Sequence, residues 1–416
     1  MSDTEGWTPT KFAEIGYTYA GLTGKTKADF GKGRALYVTF LGVIENVTVG
    51  IKDTERVDVA DDENQNRVIE GDLLFNGTSE TPGELAMGAV VGEDVPSMFV
   101  NSFCFGFRIR DTSRYDARFL AYLSRGGPGR SAARPLAQGA TRYNISKTRF
   151  MQTPQNLPGF EEQRAIAEVL SDVDRLLVAL DALIAKKHAI QQATMQQLLT
   201  GRTRLPGWSR DWHVVRLGEV VEIVSGGTPW TQNAEYWNGG IPWCVPTDIT
   251  RDSGKYLRTT ARTITESGLA NSAANILPPG SLLLCSRATI GEVKLSIAPI
   301  CTNQGFKALV CTGRILNEFL YYLLLTLKGR LISLSNGSTF LEISKSAIAS
   351  VEIRLPEFGE QREIALCLSD LDAEIEALEQ RRDKTRALKQ GLMQQLLTGL
   401  VRLVEPVDTQ SRPAAS

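Results

Sequence analysis

The sequence predicts an α+β chain in which two mixed α/β domains are separated by a long antiparallel two-helix coiled coil, all related by a pseudo-two-fold internal repeat. Three observations predict it. The first is the repeat itself. Leu157-Pro158-Gly159-Phe160-Glu161-Glu162-Gln163-Arg164-Ala165-Ile166-Ala167 returns as Leu355-Pro356-Glu357-Phe358-Gly359-Glu360-Gln361-Arg362-Glu363-Ile364-Ala365. Met195-Gln196-Gln197-Leu198-Leu199-Thr200-Gly201 returns letter for letter as Met393-Gln394-Gln395-Leu396-Leu397-Thr398-Gly399. Both pairs lie 198 positions apart (355 − 157 and 393 − 195), so the segment repeats without a gap. Ile145-Ser146-Lys147 and Ile343-Ser344-Lys345 extend the match upstream, as do Gly139-Ala140-Thr141 and Gly337-Ser338-Thr339. The second observation is a heptad seam within each copy, and the third is that the stretches between the copies are unlike one another.

Residues 1–156 form the first mixed domain, with candidate strands at Leu36–Ile44, Leu73–Phe75 and Phe99–Ile109 and a helix at Ala117–Ser124. Residues 157–206 read as a long helix with a short exit. Ile166, Leu170, Val173, Leu177, Leu180 and Ile184 are spaced 4-3-4-3-4, the apolar seam of a coiled coil. Pro158 precedes it, Glu161 and Glu162 put negative charge near its positive end, and Gly201 supplies the C-terminal cap. Residues 207–354 form the second mixed domain, with candidate strands at Ser281–Cys285 and Phe306–Val310 and a helix at Asn317–Leu327. Residues 355–403 repeat the helix. Its seam is Ile364, Leu368, Leu371, Ile375 and Leu378, with Arg382 opposite the register of Ile184 and an apolar face resuming at Leu388, Leu392 and Leu396. About 40 helical residues at about 1.5 Å each make a rod of roughly 60 Å, too long for the core of a 150-residue domain. Such a seam also serves dimerisation, but one chain carrying both copies points to an internal antiparallel pair. Residues 404–416 read as a disordered tail.

Even the unlike domains share traces of one scaffold. Gly71-Asp72-Leu73-Leu74-Phe75 resembles Gly280-Ser281-Leu282-Leu283-Leu284, and Asn101-Ser102-Phe103-Cys104-Phe105 echoes Asn303-Gln304-Gly305-Phe306.

Composition narrows the class. With no apolar run of 18 residues and no charged-then-apolar leader, a soluble cytoplasmic protein is expected, with no membrane partner. Cys104, Cys244, Cys285, Cys301, Cys311 and Cys367 form no CxxC pair, so free buried thiols and no metal site are expected. The net charge of −1 hides an asymmetry. Residues 1–99 hold 8 Lys and Arg against 17 Asp and Glu, whereas residues 100–156 hold nine Arg and Lys147 against Asp111 and Asp116 alone. Arg108, Arg110, Arg114 and Arg118 fit solvated faces as well as they fit a nucleic-acid surface. The run Arg125, Arg130, Arg134, Arg142 and Arg149, interleaved with Gly, Ser and Tyr143, favours phosphate or guanine edges.

Catalytic signatures are missing. The chain has two histidines, His188 on the first long helix and His213 at a domain start. They leave little for a triad or a metal centre. Gly24-Lys25-Thr26 mimics the end of a phosphate-binding loop, but Tyr19 stands where its first glycine is needed. There is no Asn-Pro-Pro-aromatic or Asp-Pro-Pro-aromatic tetrapeptide and no GxGxxG, the usual equipment for methylating a base amino group. The residues describe a reader rather than a catalyst.

The twin Leu-Pro-x-x-x-Glu-Gln-Arg-x-Ile-Ala segments, each closing in Leu-Leu-Thr-Gly, resemble the repeated regions of specificity subunits from type I restriction–modification systems. The second domain adds Ser225-Gly226-Gly227-Thr228-Pro229, Glu235-Tyr236-Trp237-Asn238-Gly239-Gly240-Ile241-Pro242-Trp243, Ser286-Arg287-Ala288-Thr289-Ile290-Gly291, Thr302-Asn303-Gln304-Gly305-Phe306 and Gly337-Ser338-Thr339-Phe340-Leu341-Glu342-Ile343-Ser344-Lys345, which are similar to one target-recognition class of that family. In the first domain Thr23-Gly24-Lys25-Thr26, Gly71-Asp72-Leu73-Leu74-Phe75 and Thr78-Ser79-Glu80-Thr81-Pro82 resemble another. The resemblance implies a non-catalytic DNA-binding subunit with target-recognition domains at 1–156 and 207–354 and spacer helices at 157–206 and 355–403. Each domain would read one half of a split, asymmetric site on double-stranded DNA. The paired helices would set the spacing and dock two methyltransferase subunits, with two restriction subunits able to join. S-adenosylmethionine, ATP and Mg²⁺ would belong to those partners, and none to this chain.

Polar, Gly-flanked loops are where base contacts are expected, since loops on a rigid sheet can enter a groove. The candidates are Lys25, Lys27, Ser79, Glu80, Arg130, Arg134, Arg142 and Tyr143 in the first domain. In the second they are Thr228, Trp230, Arg287, Asn303, Gln304 and Thr339. Arg142 and Arg287 lead, because arginine makes the commonest specific contact, bidentate to guanine. Two other readings remain open: a coiled-coil scaffold that never touches DNA, and a stand-alone nuclease or methyltransferase with an unfamiliar site.

Overall fold

The four helices that organise the protein are α1 (Ala117–Arg125), α2 (Phe160–Leu198), α3 (Asn317–Ser333) and α4 (Phe358–Leu396). In this computed structural model residues 6–251, 254–336 and 341–404 are described. The expected tail therefore lies outside the described residues except for Val404. The chain divides into two units, residues 1–181 with 380–416 and residues 182–379.

The long helices α2 and α4 are 39 residues each, about 58 Å of helix. Their ends follow from the repeated letters. After Leu198 the chain turns through Gly201 at φ +69°, and after Leu396 through Gly399 at φ +70°, a left-handed conformation that glycine adopts without strain. The amide of Gly201 donates to Leu198 O, and that of Thr203 to Gln197 O, so the last carbonyls are satisfied. The threonine of each Leu-Leu-Thr-Gly donates its hydroxyl back to the helix, Thr200 to Gln196 O and Thr398 to Gln394 O, both at 2.6 Å.

Within unit 1, Glu162 pairs with Arg402, Asp174 with Lys389 and Asp181 with Arg382, so partners run in opposite directions along the chain. Unit 2 shows the same sense: Lys187 pairs with Glu374, Gln191 with Asp372 and Arg204 with Glu360. The expected seam residues Leu180, Ile184 and Ile375 are buried, and Val173, Leu177, Leu371 and Leu378 half-buried. Two expectations need correction. The apolar face of α4 does not resume at Leu388, which is 58% exposed. The 4-3 spacing continues unbroken through Arg382, Thr385 and Lys389 to Leu392 and Leu396, and Thr385 is the buried residue. The long side chains of Arg382 and Lys389 cover the seam while their charged tips reach Asp181 and Asp174. Secondly, Ile166, Leu170, Ile364 and Leu368 serve more than a two-helix seam. Ile166 and Leu170 share a core with Phe119, Leu120, Leu396 and Leu397 in unit 1, as Ile364 and Leu368 do with Phe319, Leu320, Leu198 and Leu199 in unit 2. Segments of α2 and α4 therefore pack with a third helix in each unit, α1 in unit 1 and α3 in unit 2.

The two lobes differ in sequence but share the strand order of their five-stranded sheets. In unit 1 a five-stranded sheet runs in the order Gly16–Ala20, Cys104–Ile109, Leu73–Asn76, Gly88–Val91, Thr48–Val49, antiparallel except for the last pair. Unit 2 repeats it with Val221–Ser225, Phe306–Cys311, Leu282–Cys285, Val293–Ser296 and Tyr256–Leu257, again with only the last pair parallel. A three-stranded sheet also recurs. Phe30–Val38 lies between Thr54–Val57 and Met98–Val100, and Trp237–Cys244 between Arg262–Ile264 and Cys301–Thr302. Each centre strand pairs antiparallel on one side and parallel on the other, with a bulge in the antiparallel pairing. The entry and exit strands of each lobe pair in the same way, Thr8–Lys11 with Pro154–Leu157 and His213–Arg216 with Glu352–Leu355.

Local expectations fared unevenly. The two Gly-x-Leu-Leu segments are the central strands of their sheets, and the two Asn echoes form the same turn, with Asn101 Oδ1 and Asn303 Oδ1 each accepting an amide two residues on at 2.9 Å. Leu36–Ile44 is not one strand. It breaks at Thr39, whose hydroxyl accepts from Gly42 N at 2.9 Å and starts a short helix at Phe40–Glu45. Phe99–Ile109 is likewise two strands, Met98–Val100 and Cys104–Ile109, parted by the Asn101 turn. The cysteines of both units are free thiols, and burial pushes those of Cys285 and Cys301 up to about 11.

Candidate nucleic-acid interface

The structure sorts the candidates of the first lobe into two groups. Arg130 belongs to the fold, and its candidacy as a DNA contact is corrected. Its guanidinium donates to Ser124 O at 2.7 Å, Gly83 O at 3.0 Å, Leu85 O at 2.6 Å and Ala86 O at 2.9 Å. Burial draws its pKa down to about 10, and those four carbonyls keep it occupied. Arg125 does the same for the short helix Phe40–Glu45 and the strand Gly88–Val91, donating to Ile44 O at 2.8 Å and Gly88 O at 2.6 Å. Ser79 is also corrected: 5% exposed, it donates to Glu84 Oε2 at 3.0 Å and accepts from Thr81 N at 3.1 Å. Lys25 is held by Glu63, whose carboxyl is pulled down to about 2, first by the Ala60 amide and then by this lysine. Arg108 is clamped on Asp72 with Nε at 2.8 Å and Nη2 at 2.7 Å.

The remaining residues stay outward. Lys27, Glu80, Arg134 and Arg142 are exposed and Tyr143 is half-buried. Tyr143–Ile145 lies antiparallel to Thr78–Ser79 with Tyr143 opposite Ser79, which brings Glu80, Arg142 and Tyr143 to one sheet corner. The Arg142 guanidinium lies 5.4 Å from the centroid of Phe103, a ring 49% exposed. Lys25 and Lys27 lie on a separate loop.

The second lobe gathers its candidates more tightly. Gly227 N donates to Thr302 O at 2.9 Å, and Thr228 donates its hydroxyl to Gln304 Oε1. A side chain at Gly226 would collide with Asn303 O and Thr302 O, and one at Gly227 with the Ala273–Ala274 backbone, which accounts for the glycine pair before Thr228. Ser286 N donates to Gly305 O at 2.7 Å, so the Arg287 loop and the Asn303-Gln304 turn are joined directly. Arg287 Nη2 lies 2.8 Å from Glu342 Oε2, and Lys307 Nζ is 3.5 Å from the other carboxylate oxygen. Arg287 and the nearby lysine hold the Glu342 carboxyl below the usual carboxylate range. Trp230 is 67% exposed while its carbonyl accepts from Trp237 Nε1 at 3.3 Å, so an exposed ring stands on a fixed backbone. The Arg262 guanidinium stacks 3.6 Å from the Trp237 ring centroid. Thr339 lies outside the described residues.

Sequence reasoning missed Glu342, Lys307 and Phe103. Glu342 stood within a quoted motif, but only strand pairing reveals that it faces Arg287. That bridge sits where Thr78 faces Asn144 in the first lobe: Ile145 N donates to Gly77 O, and Ile343 N to Ser286 O. Both lobes thus place candidate readers at the same corner, after the third strand of the five-stranded sheet.

No group of His, Cys, Asp and Glu among the described residues could hold a metal ion, and none of their helices is long and apolar enough to cross a membrane. Residues 209–385 match the family model described as type I restriction modification DNA specificity domain. The type I restriction enzyme MjaIX specificity subunit of Methanocaldococcus jannaschii is 39% identical over 169 residues, covering 40% of this chain and 39% of that protein. The chain therefore aligns with about two fifths of that relative's length. The putative type I restriction enzyme MjaX specificity subunit of the same organism is 24% identical over 88% of this chain and 84% of its own. In fold, the chain is similar to the S subunit of a type I restriction–modification system from M. genitalium, with a TM-score of 0.58 at 18% identity, over 95% of this chain and 97% of that one. The second lobe thus carries a match to the type I restriction modification DNA specificity domain, and the chain is similar in sequence and fold to specificity subunits of type I restriction enzymes.

Proposed function

We propose that this chain reads a bipartite, asymmetric DNA target, one lobe to each half-site, while α2 and α4 set the separation of the halves. One observation carries the reading: two lobes whose five-stranded sheets share one strand order present unlike loops at the same corner, and within its own unit each packs in the same way on segments of α2 and α4. Identical readers would favour a palindrome, and unlike readers favour two different half-sites. A helix pair keeps spacing better than a flexible linker, whose ends wander by many ångströms.

In this reading the chain has no chemistry of its own. The repeated halves of the helix pair offer two equivalent docking surfaces, which suits two methyltransferase subunits using S-adenosylmethionine. Two restriction subunits using ATP and Mg²⁺ would complete the assembly, at work on cytoplasmic DNA. In the second lobe Arg287, Thr228, Gln304, Asn303 and Trp230 form the reading surface. In the first it is Arg142, Tyr143, Glu80 and Arg134, with Lys27 on a separate segment that would meet the phosphate backbone.

Selection of duplexes from a randomised library by the chain with its methyltransferase partner tests this. The expected product is two unlike motifs at a fixed separation, bound with a log–log salt slope of several units. Recovery of a palindrome, or of no motif, would overturn it. Base methylation or DNA cleavage by the isolated chain would favour the enzyme reading instead.

A further inference from the structure

Each unit holds a partly buried polar cluster where its lobe helix meets α2 and α4, and the two clusters share a tyrosine, an aspartate and a serine. In unit 1 the hydroxyl of Tyr122, on α1, donates to Asp174 Oδ2 at 2.7 Å and lies 3.4 Å from Ser171 Oγ, both on α2. Lys389 Nζ, on α4, lies 2.5 Å from Asp174 Oδ1. In unit 2 Tyr322, on α3, donates to Asp372 and lies 3.1 Å from Ser369 Oγ, both on α4, and Gln191 of α2 donates to Asp372. Ser171 and Ser369, Asp174 and Asp372, and Gln191 and Lys389 are all related by the repeat offset.

A second attachment lies eleven residues upstream on each long helix. Gln163 Oε1 accepts from Asp116 N at 3.1 Å, at the start of α1, and its Nε2 donates to Pro158 O at 2.9 Å. Gln361 Oε1 accepts from Leu316 N at 2.8 Å, at the start of α3, and its Nε2 donates to Pro356 O at 3.0 Å. Eleven residues are three turns, so both attachments lie on one stripe about 16 Å apart.

The apolar contacts around them are non-directional and tolerate sliding, whereas a hydrogen bond weakens steeply with distance and angle. Two directional attachments on one stripe fix both the position and the tilt of the lobe helix. The lobes differ in most of their sequence, yet both keep a tyrosine at this place. They also bring an ammonium group to it by different routes. In unit 1 it comes from Lys389 of α4, 5.7 Å from the Tyr122 ring centroid. In unit 2 it comes from a lobe loop, where Lys255 Nζ donates to Ser369 Oγ at 2.8 Å and to Tyr322 Oη at 3.2 Å.

We infer that Tyr122 with Asp174, and Tyr322 with Asp372, are positioning residues that set how strictly the chain discriminates the separation of its half-sites. This rests on the bipartite reading proposed above. The test uses the full chain co-purified with its methyltransferase partner, and duplexes carrying the selected half-sites with the separation changed by one or two base pairs. Duplexes with a single half-site serve as the control. Tyr122→Phe and Tyr322→Phe should keep single half-site affinity within about twofold while losing roughly tenfold in discrimination against the wrong separation. Asp174→Asn, which leaves a hydrogen-bonding group facing Tyr122, gives a second measure should Tyr122→Phe not fold. Unchanged discrimination in folded variants overturns this inference and leaves the bipartite reading intact. A uniform loss of half-site affinity also overturns it, since the residues would then serve folding alone. A wild-type chain indifferent to separation would remove both.

Discussion

Lys389 of α4 pairs with Asp174 of α2, whereas the repeat-equivalent of Lys389 is Gln191, which donates to Asp372. The same carboxylate position thus receives a charged partner in one unit and a neutral one in the other. Lys389 is 19% exposed and Asp174 30% exposed, so the pair is only partly screened by solvent. Lys389→Met should therefore lower the stability of unit 1 by about 1–2 kcal/mol, leaving Asp174 with Tyr122 and no cation. Thermal melts of the single variant against wild type read this. A melt unchanged within error would show the pair to be energetically idle.

Arg130 gives the contrary case to a DNA-contacting arginine. Arg130→Ala orphans four carbonyls and should cost about 3 kcal/mol or more in denaturant unfolding. DNA affinity per folded molecule should stay near wild type. A selective loss of affinity with stability intact would return Arg130 to the reading surface.

Arg287→Ala should relax preference at one base position in one half-site, costing about 1–3 kcal/mol there and little in the other half. Competition binding with singly substituted duplexes measures it. A loss spread evenly over all sequences would assign Arg287 to the phosphate backbone instead.

Acid should loosen the same corner. The Glu342 carboxyl has a folded-state pKa below its ordinary 4.5, so its stabilising effect is complete above that value and lost as pH falls through the folded value. Glu342→Gln should lower stability near neutrality and converge on wild type in acid, which flattens the acid limb of the stability curve below about pH 4.5. An acid limb identical to wild type would show that the contact with Arg287 and Lys307 is not formed in solution.

Leu198 and Leu199 are buried in the core of unit 2 and Gly201 caps the helix, so an insertion there would disrupt packing. The ruler is better tested mid-helix, with seven residues added after Asp181 and seven after Glu379, which preserves the heptad seam. Two added helical turns, about 10 Å, should lengthen the preferred separation by about three base pairs. An unaltered separation would mean that something other than the helices sets it.

The sequence alone determined the repeat, the two long helices and their caps, because those depend on local periodicity and on glycine at a left-handed turn. It also marked the Arg287, Asn303-Gln304 and Thr228 segments, since short polar motifs between strands stand out without knowledge of their neighbours. Only the tertiary structure decided which arginines are available. Arg130 and Arg142 sit in the same Gly- and Ser-rich run, but carbonyls from residues more than forty positions away surround one and not the other. It also decided that Thr385 rather than Leu388 enters the seam, and that Glu342 faces Arg287. Long-range pairing brings those groups together, and a one-dimensional pattern records spacing along the chain but not partners across it.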